Sequence, residues 1–281
     1  MKRIIFSAIV ALMLAACAKP QPQKVAVPTR QGWHASLPTL VGDVKSVTAT
    51  EYYTFEESGE IVKTVESRTE YKLNKRGDVV EQISYNQDNS VSDKCLYTYN
   101  SEHRMTEKAW YKRNGELDWK TRYIYDKHGI LVEEIDYNGD GSIRSKSRFG
   151  YNSDGKKTEE RSYNSDDILQ WRALLKYNLN GHLVEDAAYW LYGGLDYRYL
   201  YRYNAEGQLI ENVEASDNAP MKRNTYKYDS EGRLIEKCIH TEGQTTVLEL
   251  HYHYDSMGNV VKIAPSTSNN IVTEYEIVYR K

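Results

Sequence analysis

Phenylalanine is scarce in this chain: three residues, against 25 tyrosines. That excludes a core built by dry ring packing and favours strand faces that are half wet, where a ring packs while its hydroxyl reaches a polar partner. Proline is scarce too, and four of the six lie at 20, 22, 28 and 38, so the body is nearly free of breakers. Neither charge dominates. With 37 basic against 40 acidic residues and a net charge of −3, nothing favours a nucleic-acid partner. No apolar run is long enough to span a bilayer as a helix; the longest covers residues 4–16. The mean hydropathy of −0.72 points to a sheet with much exposed surface.

That apolar run follows Lys2 and Arg3 and ends in "LAAC" at 14–17. The arrangement resembles the lipobox of bacterial lipoproteins. The resemblance implies a signal peptide over 1–16, cleavage before Cys17 and acyl chains on Cys17 as a membrane anchor. Residues 17–43 hold the clustered prolines and read as an extended tether. Ala18 rather than aspartate follows the cysteine, which by the same resemblance implies the outer membrane, on either its periplasmic or its cell-surface face.

From residue 44 to 281 one motif recurs. "YTYN", "YIYD", "FGYN", "LKYN", "YRYN", "YKYD" and "YHYD" end at Asn100, Asp126, Asn152, Asn178, Asn204, Asp229 and Asp255. The spacing is 26 residues, once 25. A glycine follows each by three, save His103. Asn or Asp, two residues, then Gly is a type I turn closed by a left-handed residue. The turns are followed by an aliphatic residue, a β-branched one and a glutamate, as in Leu131-Val132-Glu133, save that Lys157 takes the aliphatic place once and Lys262 the glutamate's in the last unit. A second turn completes a two-strand unit. About eight units predict an all-β domain, an elongated, curved antiparallel meander. Cys95 and Cys238 fall several units apart, too far for a disulfide.

"DYNGDGSIRSKS", from Asp136, matches the start of a calcium loop. Ser147 stands where that loop needs a bidentate glutamate, and strands rather than helices flank it. The equivalent "NQDNSV" and "NSDDIL" mark the stretch as a hairpin turn. Basic residues such as Lys94, Lys120, Arg198 and Arg223 alternate with the glutamates 13 residues apart, once 12. Cross-strand pairing or two solvated stripes are both open readings; an odd spacing would set strictly alternating columns on opposite faces.

"YKYDSEGRLIEK", "YNAEGQLIEN" and "YDSMGNVVK" resemble the YD repeat of the RHS family. The resemblance implies a long, curling sheet in a surface or envelope setting. It implies no encapsulating role, since the units are few and no toxin segment follows.

No nucleophile triad, phosphate loop or zinc-protease motif is present. Cys238, His240, His251 and His253 could approach one another on adjacent strands and suit zinc, the basis of a metal-assisted enzyme as an alternative. A structural spacer is a further one. The expected function is non-catalytic: a lipid-anchored envelope protein, with no cofactor, whose sheet binds or scaffolds a protein or glycan. The candidate surface is the column Tyr99, Tyr125, Tyr151, Tyr177, Tyr203, Tyr228 and Tyr254.

Overall fold

A computed structural model describes residues 37–280, apart from 217–218, 244–247 and 267–269. Cys17, the signal segment and most of the tether lie outside the described residues.

The chain forms strands β1 (Val44–Glu57), β2 (Glu60–Leu73), β3 (Val79–Tyr85), β4 (Val91–Tyr99), β5 (Met105–Lys112), β6 (Leu117–Tyr125), β7 (Leu131–Asn138), β8 (Ile143–Tyr151) and β9 (Lys157–Asn164). They continue as β10 (Leu169–Tyr177), β11 (Leu183–Trp190), β12 (Leu195–Tyr203), β13 (Leu209–Ser216), β14 (Ala219–Tyr228), β15 (Leu234–Thr241), β16 (Leu248–Tyr254), β17 (Val260–Pro265) and β18 (Asn270–Tyr279). Each pairs antiparallel with its neighbours in sequence.

The meander is not open. β1 pairs with β18 from Val44↔Tyr279 to Thr54↔Asn270, and the 18 strands close into a barrel. The expected elongated sheet is therefore corrected to a closed one. The reason is physical: strand twist accumulates in one direction, and joining the first strand to the last removes both edges. That pairing joins residues more than 200 apart, which no local repeat encodes.

The repeat turns hold the chain as their residues require. Gly155 N donates to Asn152 O at 3.0 Å, and Gly155 has φ +74. The Asn152 side chain accepts from the N–H groups of Asp154 and Lys156. His103 takes the same left-handed conformation, φ +63, without being glycine. The calcium-like stretch is a hairpin of the second kind. Gly141 N donates to Asn138 O at 2.9 Å, and Asp136 turns away from the loop to accept from Thr121 and Ser145 hydroxyls at 2.5 and 2.8 Å.

One mouth of the barrel receives the segment before β1. Leu37 and Leu40 pack against Val44, Val47, Tyr71 and Leu73. Asn259 clamps that segment, accepting from Val41 N at 2.6 Å and donating to Val41 O at 3.1 Å. Arg280 closes the seam, binding Asp43, the Val44 carbonyl and the Leu73 carbonyl.

Candidate functional site: the lumen wall

Strand alternation gives the barrel two unlike walls. The outer wall carries the glutamate column. Glu107 binds Lys120 at 3.0 Å and Arg122 at 3.3 Å; Glu185 binds Lys176 and Arg198, each at 2.9 Å; Glu133 binds Arg148 at 2.9 Å. Glu81 lies between Lys72 and Lys94, whose hydrogen bonds hold its carboxyl below the usual carboxylate range. The columns pair in part: Lys94, Lys120, Arg198 and Arg223 meet Glu81, Glu107, Glu185 and Glu211, whereas Lys146 turns to Asp167 and Glu133 and Glu159 take Arg148 and Arg161. The odd spacing is no obstacle, because a hairpin loop resets the alternation: Glu107 faces Arg122 across the turn, with Lys120 two residues along on the same face. The second tyrosines stack here beneath basic groups, with Arg68 4.1 Å from the Tyr85 ring and Arg148 4.9 Å from the Tyr163 ring.

The inner wall carries the other tyrosine column, and each hydroxyl has the same duty. Tyr99, Tyr125, Tyr151, Tyr177, Tyr203, Tyr228 and Tyr254 donate to the carbonyls of Val79, Met105, Leu131, Lys157, Leu183, Leu209 and Leu234, at 2.6–2.8 Å. These carbonyls open the preceding odd strands, next to the bulges that interrupt each ladder at the tyrosine. The column thus clasps neighbouring strands at one end of the barrel. Burial pushes Tyr99 and Tyr254 up to about 12.

Between these clasps and the far mouth runs a second inner column. It is formed by the residue after each glutamate, or after Lys262 in the last unit: Gln82, Lys108, Glu134, Glu160, Asp186, Asn212, Lys237 and Ile263. Each lies in register with inward residues on both sides, as in Leu175–Asp186–Tyr199. This column varies where the others repeat, so repetition does not mark it. A readable signal did exist, since alternation places charged residues on the face opposite the glutamates. Burial holds Lys108 and Lys237 below the usual lysine range.

The lumen is packed in some places and open in others. Tyr201, Leu209, Tyr226 and Leu234 form one packed cluster. Along β7 to β12 there is a chamber of about 440 Å³, bordered by Glu134, Lys157, Glu160, Trp171, Asp186 and Tyr197. Lys157 Nζ binds Glu160 at 3.0 Å. Asp186, 3% exposed, accepts one long bond from Tyr197 Oη at 3.4 Å. Burial is the main cause that pushes Asp186 up to about 6 and Glu134 up to about 7, with the Glu160 carboxylate adding to both.

The other sequence candidates lie elsewhere. Cys238 and His240 on β15 and His251 and His253 on β16 share the outer wall, where Cys238 pairs with Glu249 and Glu236 with His251. Cys238 Sγ donates to Glu236 Oε1 at 3.3 Å, and among the described residues no three metal-ligating side chains converge. Cys95 is a buried inward thiol of β4 and Cys238 an outward one of β15, both free.

No protein-family profile matches the chain, and no curated protein does. A porin-like protein from Bacteroides uniformis ATCC 8492 is similar in structure over 84% of this chain and 96% of its own, at 9% identity and a TM-score of 0.46. A TcdB2-TccC3 structure is similar over 83% of this chain but only 16% of its own, at 12% identity and a TM-score of 0.36. Likenesses this distant say nothing of function.

Three expectations are corrected. The RHS resemblance is not sustained: no family profile supports it, and the sheet closes instead of curling open. The sheet-face function falls with it. The column tyrosines line an inner wall and spend their hydroxyls on backbone carbonyls, so that column is not an outward face for a protein or glycan, and a closed barrel is not a spacer rod. The zinc alternative falls too, since among the described residues these side chains form no group that could hold a metal.

Proposed function

We propose that this protein works through its lumen, as a non-catalytic barrel that takes up a small solute from water. The observation that carries the reading is the polarity of the two walls. A barrel that spans a bilayer turns an apolar band outward. This one turns ion pairs outward on most of its strands, and an Arg or Lys held at the bilayer midplane costs about 2–4 kcal/mol. The wall suits water. The inward side holds rings, carboxyls and a chamber within the size range of small-molecule sites.

A closed barrel is compatible with a bacterial outer-membrane setting. A lipid on Cys17 would hold it beside the bilayer, its wall in water. Tyr99, Tyr125 and their column mates then act as the frame of the lumen, and the solute meets the variable column between them.

Native mass spectrometry of the chain purified from a bacterial host tests the reading. A small bound species is expected in the native protein. Ala173→Trp, which fills the chamber from β10, should lose it while the thermal transition persists. An equal amount of that species on both proteins would contradict a lumenal site.

A further inference from the structure

The rim of the barrel holds a feature that the lumen does not account for. Its two mouths are unlike. One carries the Asn/Asp-x-x-Gly turns and receives Leu37 and Leu40; the other carries the second turn of each unit. Among the described residues, most of the large apolar side chains that are exposed stand at this second mouth. They concentrate on an arc of three successive hairpins from β9 to β14: Ile168, then Trp190, Leu191 and Tyr192, then Met221. The hairpins before them are polar, with turns that read "NQDNS", "KRNGE" and "NGDGS" at 86–90, 112–116 and 138–142.

The β11–β12 hairpin is the tip of this arc. Trp190 N donates to Gly194 O and Gly193 N to Trp190 O, each at 2.9 Å, with Gly193 at φ +90, so the turn itself is closed like the others. Leu191 N donates to Gln170 O at 2.9 Å, which fixes the tip against the β9–β10 hairpin. Tyr192 is 96% exposed, and no charged residue occurs from Ala187 to Leu195. A turn in water needs neither Trp, Leu nor Tyr, and an exposed apolar cluster marks an interaction surface. The side chains project from separate tips along a rim, which suits a flat, yielding layer. Arg172, Arg198 and Arg223 stand on β10, β12 and β14, three or four residues into their strands, about 10–13 Å behind the tips. Arg198 and Arg223 point outward to Glu185 and Glu211. Apolar and aromatic tips with basic groups behind them match the layering of a bilayer surface, acyl chains below phosphates. The acidic tip of β1–β2, with Glu56, Glu57 and Glu60, lies across the opening from the arc, so contact on the arc tilts it away from lipid.

We propose that this arc is a membrane-contact surface that settles into the interfacial layer of a bilayer. Leu191 enters the acyl region, Trp190 and Tyr192 sit at headgroup depth, and the ion-paired wall stays in water. The contact is separate from the lumenal reading and does not need a lipid on Cys17. It is also compatible with one. Residues 17–36 reach at most about 66 Å when extended, against about 30 Å for a nine-residue strand such as β10, so an anchor entering by the other mouth and this arc can meet the same bilayer.

Sedimentation with sucrose-loaded phosphatidylcholine vesicles at about 0.15 M salt tests the surface. The chain is made from residue 17 onward as Cys17→Ser, so that neither an acyl group nor the apolar run at 4–16 contributes. It is expected to sediment with the vesicles. Leu191→Asp combined with Tyr192→Asp should lower the partition coefficient at least about tenfold, since the transfer of two apolar side chains is lost. Leu179→Asp, at a fully exposed leucine of the opposite mouth, should leave it unchanged. Thermal melting confirms that each variant folds. A chain that stays in the supernatant, or a Leu191/Tyr192 variant that sediments like the native chain, overturns the proposal. Sedimentation equilibrium without lipid separates the other occupant: a chain that ignores vesicles but self-associates, with the Leu191/Tyr192 variant monomeric, assigns the arc to a second copy and overturns the membrane contact. The lumenal reading stands in every case.

Discussion

The tyrosine hydroxyl shows how little a composition says until its partner is known. Twenty-five tyrosines suggested a recognition surface, yet the seven of the inner column hold backbone carbonyls. Tyr125→Phe removes one such bond and keeps the ring. Denaturant titration should show a loss of about 1 kcal/mol, with the barrel intact. Glu134 makes the opposite case, a side chain whose surroundings disfavour its charge. Its carboxyl is pushed from 4.5 to about 7 by burial, with Glu160 and Asp136 raising it further and Lys157 and Lys108 opposing. A raised folded value means that its contribution to stability is full below about 4.5 and is lost as pH rises through about 7. Unfolding free energy should therefore fall across that window, and Glu134→Gln should flatten the fall. A native profile identical to that of the variant would contradict the burial argument.

At the scale of the element, much was legible. The Asn/Asp-x-x-Gly turns and the two-strand unit stand where the repeat put them. Gly155 tests the turn alone. Its φ is +74 and nothing lies within 4 Å of where a Cβ would sit, so Gly155→Ala costs only the left-handed conformation, about 1–2 kcal/mol. A neutral effect on thermal stability would show that the turn does not need its glycine. Pairing of the charge columns was less legible, because strand alternation cannot be counted through a loop. Glu107 and Lys120 are 13 apart and still share a face. The variable inner column was missed for a related reason. Lys108, Glu134, Asp186 and Asn212 follow repeated glutamates yet differ from one another, and a search for repetition discards positions that vary.

Closure belongs to the whole molecule. It depends on residues such as Ala49 and Tyr275 meeting across the seam, and on Arg280 binding Asp43 and two carbonyls beside it. Arg280→Ala should weaken the seam by about 2 kcal/mol, in the range for bonds to a charged group, with amide exchange rising first in β18. Uniform protection across the strands would place closure elsewhere. The two walls make the larger claim, that the barrel stands in water and works from inside. The most direct test takes the chain as Cys17→Ser, so that no lipid is attached, purifies it without detergent and adds it to a planar bilayer. The account predicts a monodisperse protein in plain buffer that adds no conductance. A chain that needs detergent to stay in solution and opens steps of conductance would show that the ion-paired wall faces lipid after all.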